Sequence, residues 1–213
     1  MVVAIDGPAG VGKSTISKLI SEKTGMFYLN SGNFYRAVTY AVLISSADPE
    51  NEDDVIKAAE TCSFSIREGS LYLNGKNVEE YLHTDAVDEY VAQHSAIIPV
   101  RKIVNKNLRG IGENMDLIVE GRDITTVVFP DAEVKIYLDA TIEKRAERRF
   151  AQGVSNLSLR EHIRKIQFRD SIDTTKPFGS LKLVDDAFYI DTSDLTIDEV
   201  CEKVLQKIQE AKN

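Results

Sequence analysis

The chain has 213 residues, 43% of them hydrophobic and 28% charged, with a formal net charge of -8 at pH 7. That is the length and balance of one globular core with room for a small insertion, and the acidic total argues against broad, sequence-independent nucleic-acid binding, which needs a basic surface. No apolar run nears the roughly 20 residues that span a bilayer, and Cys62 and Cys201, far apart and outside any CxxC spacing, point to neither a zinc site nor a disulfide framework.

The N-terminus runs straight into a strand, with no basic leader and no cleavage site, so a cytoplasmic, reducing location with two free thiols is expected. Residues 2–5 are a short β-branched run ending at Asp6-Gly7, a buried strand and then a turn. Next comes Gly7-Pro8-Ala9-Gly10-Val11-Gly12-Lys13-Ser14, which matches GxxxxGK[ST]. A helix is predicted over 13–23, with Ile16, Leu19 and Ile20 on one face and Gly25 at its close. A second strand follows at 26–29 and a second helix at 33–44.

Residues 64–82 break the rhythm. Two strand-like runs surround Glu68-Gly69 and Asn74-Gly75, pairs suited to hairpin turns, so a small antiparallel insertion is predicted. A helical stretch from 86 to about 109 is interrupted near Pro99. Strands are predicted at 116–119, 133–138 and 187–190, and helices at 142–150, 159 to about 171, and 197–211. The alternation indicates an α/β fold with a doubly wound, parallel five-stranded sheet, in which ligands collect beyond the C-terminal strand ends.

The octapeptide decides the class. Its glycines let backbone N–H groups approach phosphate oxygens with no side chain between. The helix that follows aims its amides and positive dipole end at the same anion. Lys13 supplies a mobile charge for the β- and γ-phosphates, and the Ser14 hydroxyl is suited to Mg²⁺. Thr15 can add an oxygen on the α-phosphate side. A GTPase would carry a DxxG after a strand and an NKxD; no DxxG occurs, and Asn105-Lys106-Asn107-Leu108 lacks the aspartate. Instead the chain offers Arg36, Arg101, Arg122, Arg145, Arg148, Arg149 and Arg169, a set that fits the cations phosphoryl transfer needs. The acceptor of such a small kinase is already an anion, so no dedicated nucleophile is required.

Three segments are more specific still: AIDGPAGVGKST at the start, SGNFYRA from Ser31, and EGRDITTVVFPDAEVKIYLDAT from Glu120. With VDDAFYIDTSDLTIDEV near the C-terminus, they make the chain, from Val2 to about Lys207, resemble the bacterial cytidylate (CMP) kinases. The resemblance implies a P-loop nucleoside monophosphate kinase fold: a core of 1–62 and 115–213, a CMP-binding insertion at about 63–114, and a lid at about 150–158. It implies transfer of the γ-phosphoryl of ATP to CMP, and to dCMP, with Mg²⁺ and in a monomer that binds neither nucleic acid nor membrane, as a step of pyrimidine nucleotide metabolism. Besides Gly7 to Thr15 on ATP, it places Ser31, Tyr35, Arg36, Arg101, Arg122, Asp123, Arg169, Asp173 and Lys176 on the acceptor. Asp123 and Arg101 read the cytosine, and Arg169 and Asp173 meet the sugar. Arg145 and Arg149, four apart on one helical face, reach the nucleotide phosphates with Arg148 alongside, or Arg145 stacks on adenine. Glu120 orients a magnesium-bound water.

Some positions depart from the family pattern. Asn30 stands where aspartate is expected, Ala92 where a base-reading serine is, and Lys176 where a phosphate-binding arginine is. Pro177-Phe178-Gly179 is also unusual, and the segment 151–157 is short. His83, His94 and His162 lack metal-like spacing and are expected at the surface or at hinges. Two other readings stay open: a small kinase with a different acceptor, such as another nucleotide or dephospho-coenzyme A, and a non-catalytic nucleotide-binding protein.

Overall fold

A computed structural model describes residues 1–113, 115–153 and 157–212; residues 154–156 of the expected lid lie outside the described residues. The chain divides into two compact units, one formed by Met1–Leu29 with Met115–Asn213 and the other by Asn30–Asn114.

The first unit is built on a five-stranded sheet. It holds β1 (Val2–Asp6), β2 (Phe27–Asn30), and, after the second unit has been traversed, three strands whose numbers continue the count: β6 (Leu117–Gly121), β7 (Val134–Asp139) and β8 (Phe188–Asp191), in the order β2-β6-β1-β7-β8. β1 lies between β6 and β7 and is parallel to both; β8 is parallel to β7. Central strands buried on both faces need near-continuous apolar runs, which is what 2–5 and 117–119 supply. Val3 and Ile5 of β1 pack with Ile136 and Leu138 of β7. The cluster includes Ile16 and Ile20 of α1 (Lys13–Thr24) and Val200, Val204 and Ile208 of α8 (Ile197–Lys212). α6 (Ile142–Ala151) and α7 (Leu159–Thr175) pack against one another. α7 opens on a capping box, with Ser158 and Glu161 each satisfying the other's backbone N–H.

The second unit holds α2 (Ser31–Leu43), α3 (Glu52–Glu60), and an antiparallel sheet of β3 (Phe64–Arg67), β4 (Ser70–Leu73) and β5 (Lys76–Asn77). The turns fall at Glu68-Gly69 and Asn74-Gly75, all four with positive φ. After a 3₁₀ turn at Glu79–Tyr81 come α4 (Asp85–His94) and α5 (Ile98–Gly112), with Pro99 in the first turn of α5, where a missing N–H costs nothing. Sequence reasoning drew the insertion's boundary at about 63. The structure groups that segment in one compact unit with α2 and α3, which pack with α4 and α5. It also adds α3, whose signal was Asn51, which accepts the Asp54 N–H as N-cap ahead of three acidic first-turn residues.

Among the described residues, no helix is long and apolar enough to cross a membrane. Of the histidines, His83 is exposed and His162 half-buried. His94 departs from the surface or hinge placement: it is buried, with Nδ1 3.0 Å from the Thr39 hydroxyl and Nε2 2.9 Å from the Pro49 carbonyl. Two polar partners let the ring be buried, and burial lowers its pKa.

Candidate active site

The glycine loop starts where β1 stops. Gly7 has φ 154°, and a Cβ there would collide with the Leu138 carbonyl of β7, so the loop lies directly on the neighbouring strand. Gly12, at φ 100°, is the N-cap of α1. Lys13 is buried, and its ammonium donates to the carbonyls of Gly7 and Pro8, both at 2.8 Å. Burial, and then the charge of Arg122, hold its pKa well below that of an ordinary lysine. Ser14 and Thr15 are exposed in the first turn of α1. The loop therefore presents an amide-rich N-terminus with a cation folded beneath it, an arrangement that attracts anions.

Three arginines of α6 surround this loop, though two of them reach its carbonyls. Buried Arg145 donates from Nη1 to the Ala9 carbonyl at 3.1 Å and from Nε to the Ala140 carbonyl at 3.0 Å, and pairs with Asp170 of α7. Arg148 donates from Nη1 to the Val11 carbonyl at 3.2 Å and grips Thr192 through both its hydroxyl and its carbonyl. Arg149 lies with its stem against Gly10, 3.6 Å from where a Cβ would sit. Asp170 and Thr192 were not singled out in the sequence. Asp170 was legible there only as the acidic partner beside Arg169 and three positions before Asp173.

A second charged group lies beyond β6. Arg122 donates from Nε to Asp173 Oδ2 at 2.7 Å, Lys176 from Nζ to Asp173 Oδ1 at 3.2 Å, and Arg169 Nε stands 4.0 Å from the same carboxylate. Burial would raise the pKa of Asp173, but Arg122, Lys176 and Arg169 outweigh it and hold the carboxyl far below the usual range. Burial also works against the charge of Arg122, and Asp173 reverses that. Asp123 is buried at the head of a π-helical turn, Ile124–Val128, its carbonyl accepting from Val127 and Val128 at 2.8 and 3.1 Å. Turns of this kind are frequent at functional sites. Asp6, the last residue of β1, holds the front of that turn with its carboxylate, accepting from the Ile124 N–H at 3.0 Å. Glu120 is buried on β6, paired in register with Ile5, and accepts from the Tyr28 hydroxyl.

In the unit of Asn30–Asn114 the expected acceptor residues Ser31, Tyr35, Arg36 and Arg101 are all buried. Arg36 pairs with Asp88 at 2.6 Å and donates to the Leu82 carbonyl at 2.8 Å. Arg101 stacks over the Tyr35 ring, 5.2 Å from its centroid, and donates to the Ser95 carbonyl at 2.6 Å, while the Tyr35 hydroxyl donates to Asn105. Asn30 accepts the Asn33 N–H as the N-cap of α2, a place asparagine and aspartate fill equally well.

A parallel sheet with a phosphate loop at the end of its central strand, arginines behind the loop and a basic cluster beside it defines a P-loop phosphotransferase. The cytidylate kinase family model matches residues 3–210. Cytidylate kinase 1 of Borrelia garinii subsp. bavariensis is 41% identical over 212 residues, covering 97% of this chain and 96% of that protein. Cytidylate kinase of Borrelia duttonii is 40% identical over 211 residues, covering 97% of each. Among solved structures, an uncharacterized protein from Eubacterium ventriosum superposes over 99% of this chain and 98% of its own with a TM-score of 0.53 at 11% identity, a likeness of fold alone. The chain belongs to the cytidylate kinase family. It is a nucleoside monophosphate kinase, and phosphoryl transfer from ATP to CMP is the activity of its family.

Proposed function

We propose that Gly7 to Thr15 bind the phosphates of ATP and that Arg122, Asp123, Arg169, Asp173 and Lys176, with Ser31, Tyr35, Arg36 and Arg101, bind CMP or dCMP. The observation that carries this reading is the buried Lys13 ammonium, held under the glycine loop by the carbonyls of Gly7 and Pro8, with the charge of Arg122 acting on it. In the reaction an oxygen of the CMP phosphate forms a bond to the γ-phosphorus as the bond to the β,γ-bridging oxygen breaks. The acceptor oxygen already carries its charge, so no side chain need remove a proton. Lys13 and Arg122 stabilise charge on the moving phosphoryl group, the usual large contribution in such sites. We assign Arg145 and Arg148 to shaping the loop through the Ala9 and Val11 carbonyls, and Arg149 to the phosphates.

The residues present also suit Mg²⁺. No group of three carboxylate, histidine or cysteine side chains comes together among the described residues, and Mg²⁺ takes most of its ligands from phosphates and water. The Ser14 hydroxyl would hold it, with Glu120 behind, and the bound ion would neutralise phosphate charge. A monomeric, cytoplasmic enzyme is the simplest setting; burial pushes the Cys62 thiol up to about 11, so it is a poor nucleophile in a reducing compartment. A coupled assay with CMP, dCMP, UMP, AMP and GMP tests the assignment. CMP and dCMP should be turned over far faster than the others, and a preference for AMP or GMP would refute the acceptor reading.

A further inference from the structure

Asp170 belongs to none of the groups assigned above, yet it touches the phosphate loop itself. Its Oδ1 accepts the backbone N–H of Ala9 at 3.2 Å, and its Oδ2 pairs with Nη1 of Arg145. The same Arg145 nitrogen donates to the Ala9 carbonyl at 3.1 Å. Ala9 thus has both backbone polar groups engaged, one by a carboxylate of α7 and the other by a guanidinium of α6, and those two side chains pair with each other. Arg145 is braced in turn by the Ala140 carbonyl. The backbone also packs here, since a Cβ on Gly10 would lie 3.2 Å from the Arg145 carbonyl. Two side chains that pair with each other hold the peptide groups on either side of the Ala9 Cα, which leaves the loop little freedom at its third residue, just ahead of the amides that meet phosphate. Both charged partners are largely buried, with side chains 9% and 19% exposed, so the pair is poorly screened by solvent.

We propose that Asp170 is a positioning residue for the donor nucleotide, holding the third residue of the phosphate loop and the Arg145 guanidinium in their binding geometry. The inference rests on the reading of Gly7 to Thr15 as the ATP site. It also gives α7 two separate tasks: Asp170 faces the donor loop, while Asp173, three positions on, anchors Arg122.

The experiment measures KM for ATP and for CMP, and Kd for ADP by calorimetry, in wild type, Asp170→Ala, Asp170→Asn and, as a control on the donor site, Lys13→Ala. A hydrogen bond to a charged group is worth enough to shift affinity by about tenfold when lost. Asp170→Ala should therefore raise KM for ATP and Kd for ADP by about tenfold or more, with KM for CMP changed less than about twofold. Asp170→Asn keeps an oxygen for the Ala9 N–H and loses only the ion pair, so it should recover part of the ADP affinity; a merely structural residue would weaken both substrates together. The proposal is overturned if ATP and CMP are weakened alike, or if KM for ATP is unchanged in folded protein. Should Asp170→Ala fail to fold, Asp170→Asn decides alone: a rise confined to ATP and ADP supports the proposal, and wild-type affinities or an equal loss for CMP refute it. If Lys13→Ala keeps normal turnover and ADP affinity, the donor-site reading fails instead, and the two failures are distinguishable.

Discussion

The Asp6 carboxylate holds Thr125 twice, accepting its backbone N–H at 2.8 Å and its hydroxyl at 2.7 Å. Asp6 precedes Gly7 of the phosphate loop, and Thr125 lies two residues after Asp123, so one buried carboxylate ties the donor loop to the segment proposed to read the acceptor. Asp6→Asn leaves one oxygen for three donors and turns an N–H₂ toward one of them. Burial raises the Asp6 pKa, so removing the charge offsets part of that cost. A net loss of about 1–3 kcal/mol is expected, together with a rise in KM for both substrates. Urea unfolding and steady-state kinetics on the one variant check it, and wild-type stability would show that the turn does not depend on Asp6.

Lys13→Ala should lower kcat by at least ~10²-fold, because a charge aimed at the moving phosphoryl is lost. The fold should survive, since the ammonium's two partners are carbonyls at the loop's own start. Near-normal turnover in folded Lys13→Ala would remove the loop from the chemistry.

Asp123 supplies a carboxylate, which only accepts hydrogen bonds, and so favours the exocyclic amine of cytosine over the carbonyl of uracil. Asp123→Asn can present an N–H₂ to uracil instead. A carboxylate-to-cytosine contact discriminates by about 1–3 kcal/mol, so the CMP/UMP ratio of kcat/KM should fall by ~10-fold or more. Ala92, buried on α4, has no hydroxyl to share the task. Efficiencies for CMP and UMP lowered alike, with an unchanged ratio, would recast Asp123 as the head of the π turn only.

Asp173 governs the acid limb of stability. Its folded pKa is depressed, so its contribution is present above the ordinary carboxylate value of 3.8 and is lost as pH falls through the folded value. At neutral pH, Asp173→Asn strands Arg122 and Lys176 and should cost about 3–5 kcal/mol, as breaking buried pairs does. As pH falls below 3.8 the gap to wild type should narrow, because the unfolded chain takes up this proton before the native carboxyl does. Urea midpoints across this range give the answer, and a constant gap would mean that the ion pairs contribute nothing.

The strands of the main sheet and the phosphate loop were legible in the sequence because each leaves a local mark: a short apolar run, or glycines spaced around a lysine. α3 left a fainter one, since it is only 9 residues long and buries only Val55 and Ala59. His94 shows the limit of composition as a guide, because nothing near it in sequence announces Thr39 and the Pro49 carbonyl. The arginines show the same limit differently. Arg145 and Arg148 were expected on the nucleotide, at its phosphates or, for Arg145, on adenine, and their spacing cannot reveal that carbonyls of Ala9 and Val11 also lie within reach. Asp170 was missed for that reason too: its partners are a backbone amide and a side chain that only tertiary packing delivers. Lys176, a departure from the family pattern expected on the acceptor, is buried and donates to Asp173.

The central strand of the main sheet pairs Val2 with Leu117 and Ile5 with Glu120, across the whole of the second unit. That interruption has a consequence during synthesis. β1 leaves the ribosome early and waits, with its apolar flanks exposed, until β6 and β7 arrive from the far side of Asn30–Asn114. The second unit is contiguous, and its contacts can form while the chain is still growing. Closing a long loop before any sheet contact rewards it makes non-local pairing slow. The sheet should therefore be the last part to fold, and nascent chains that end before β6 should bind chaperones through residues 2–5.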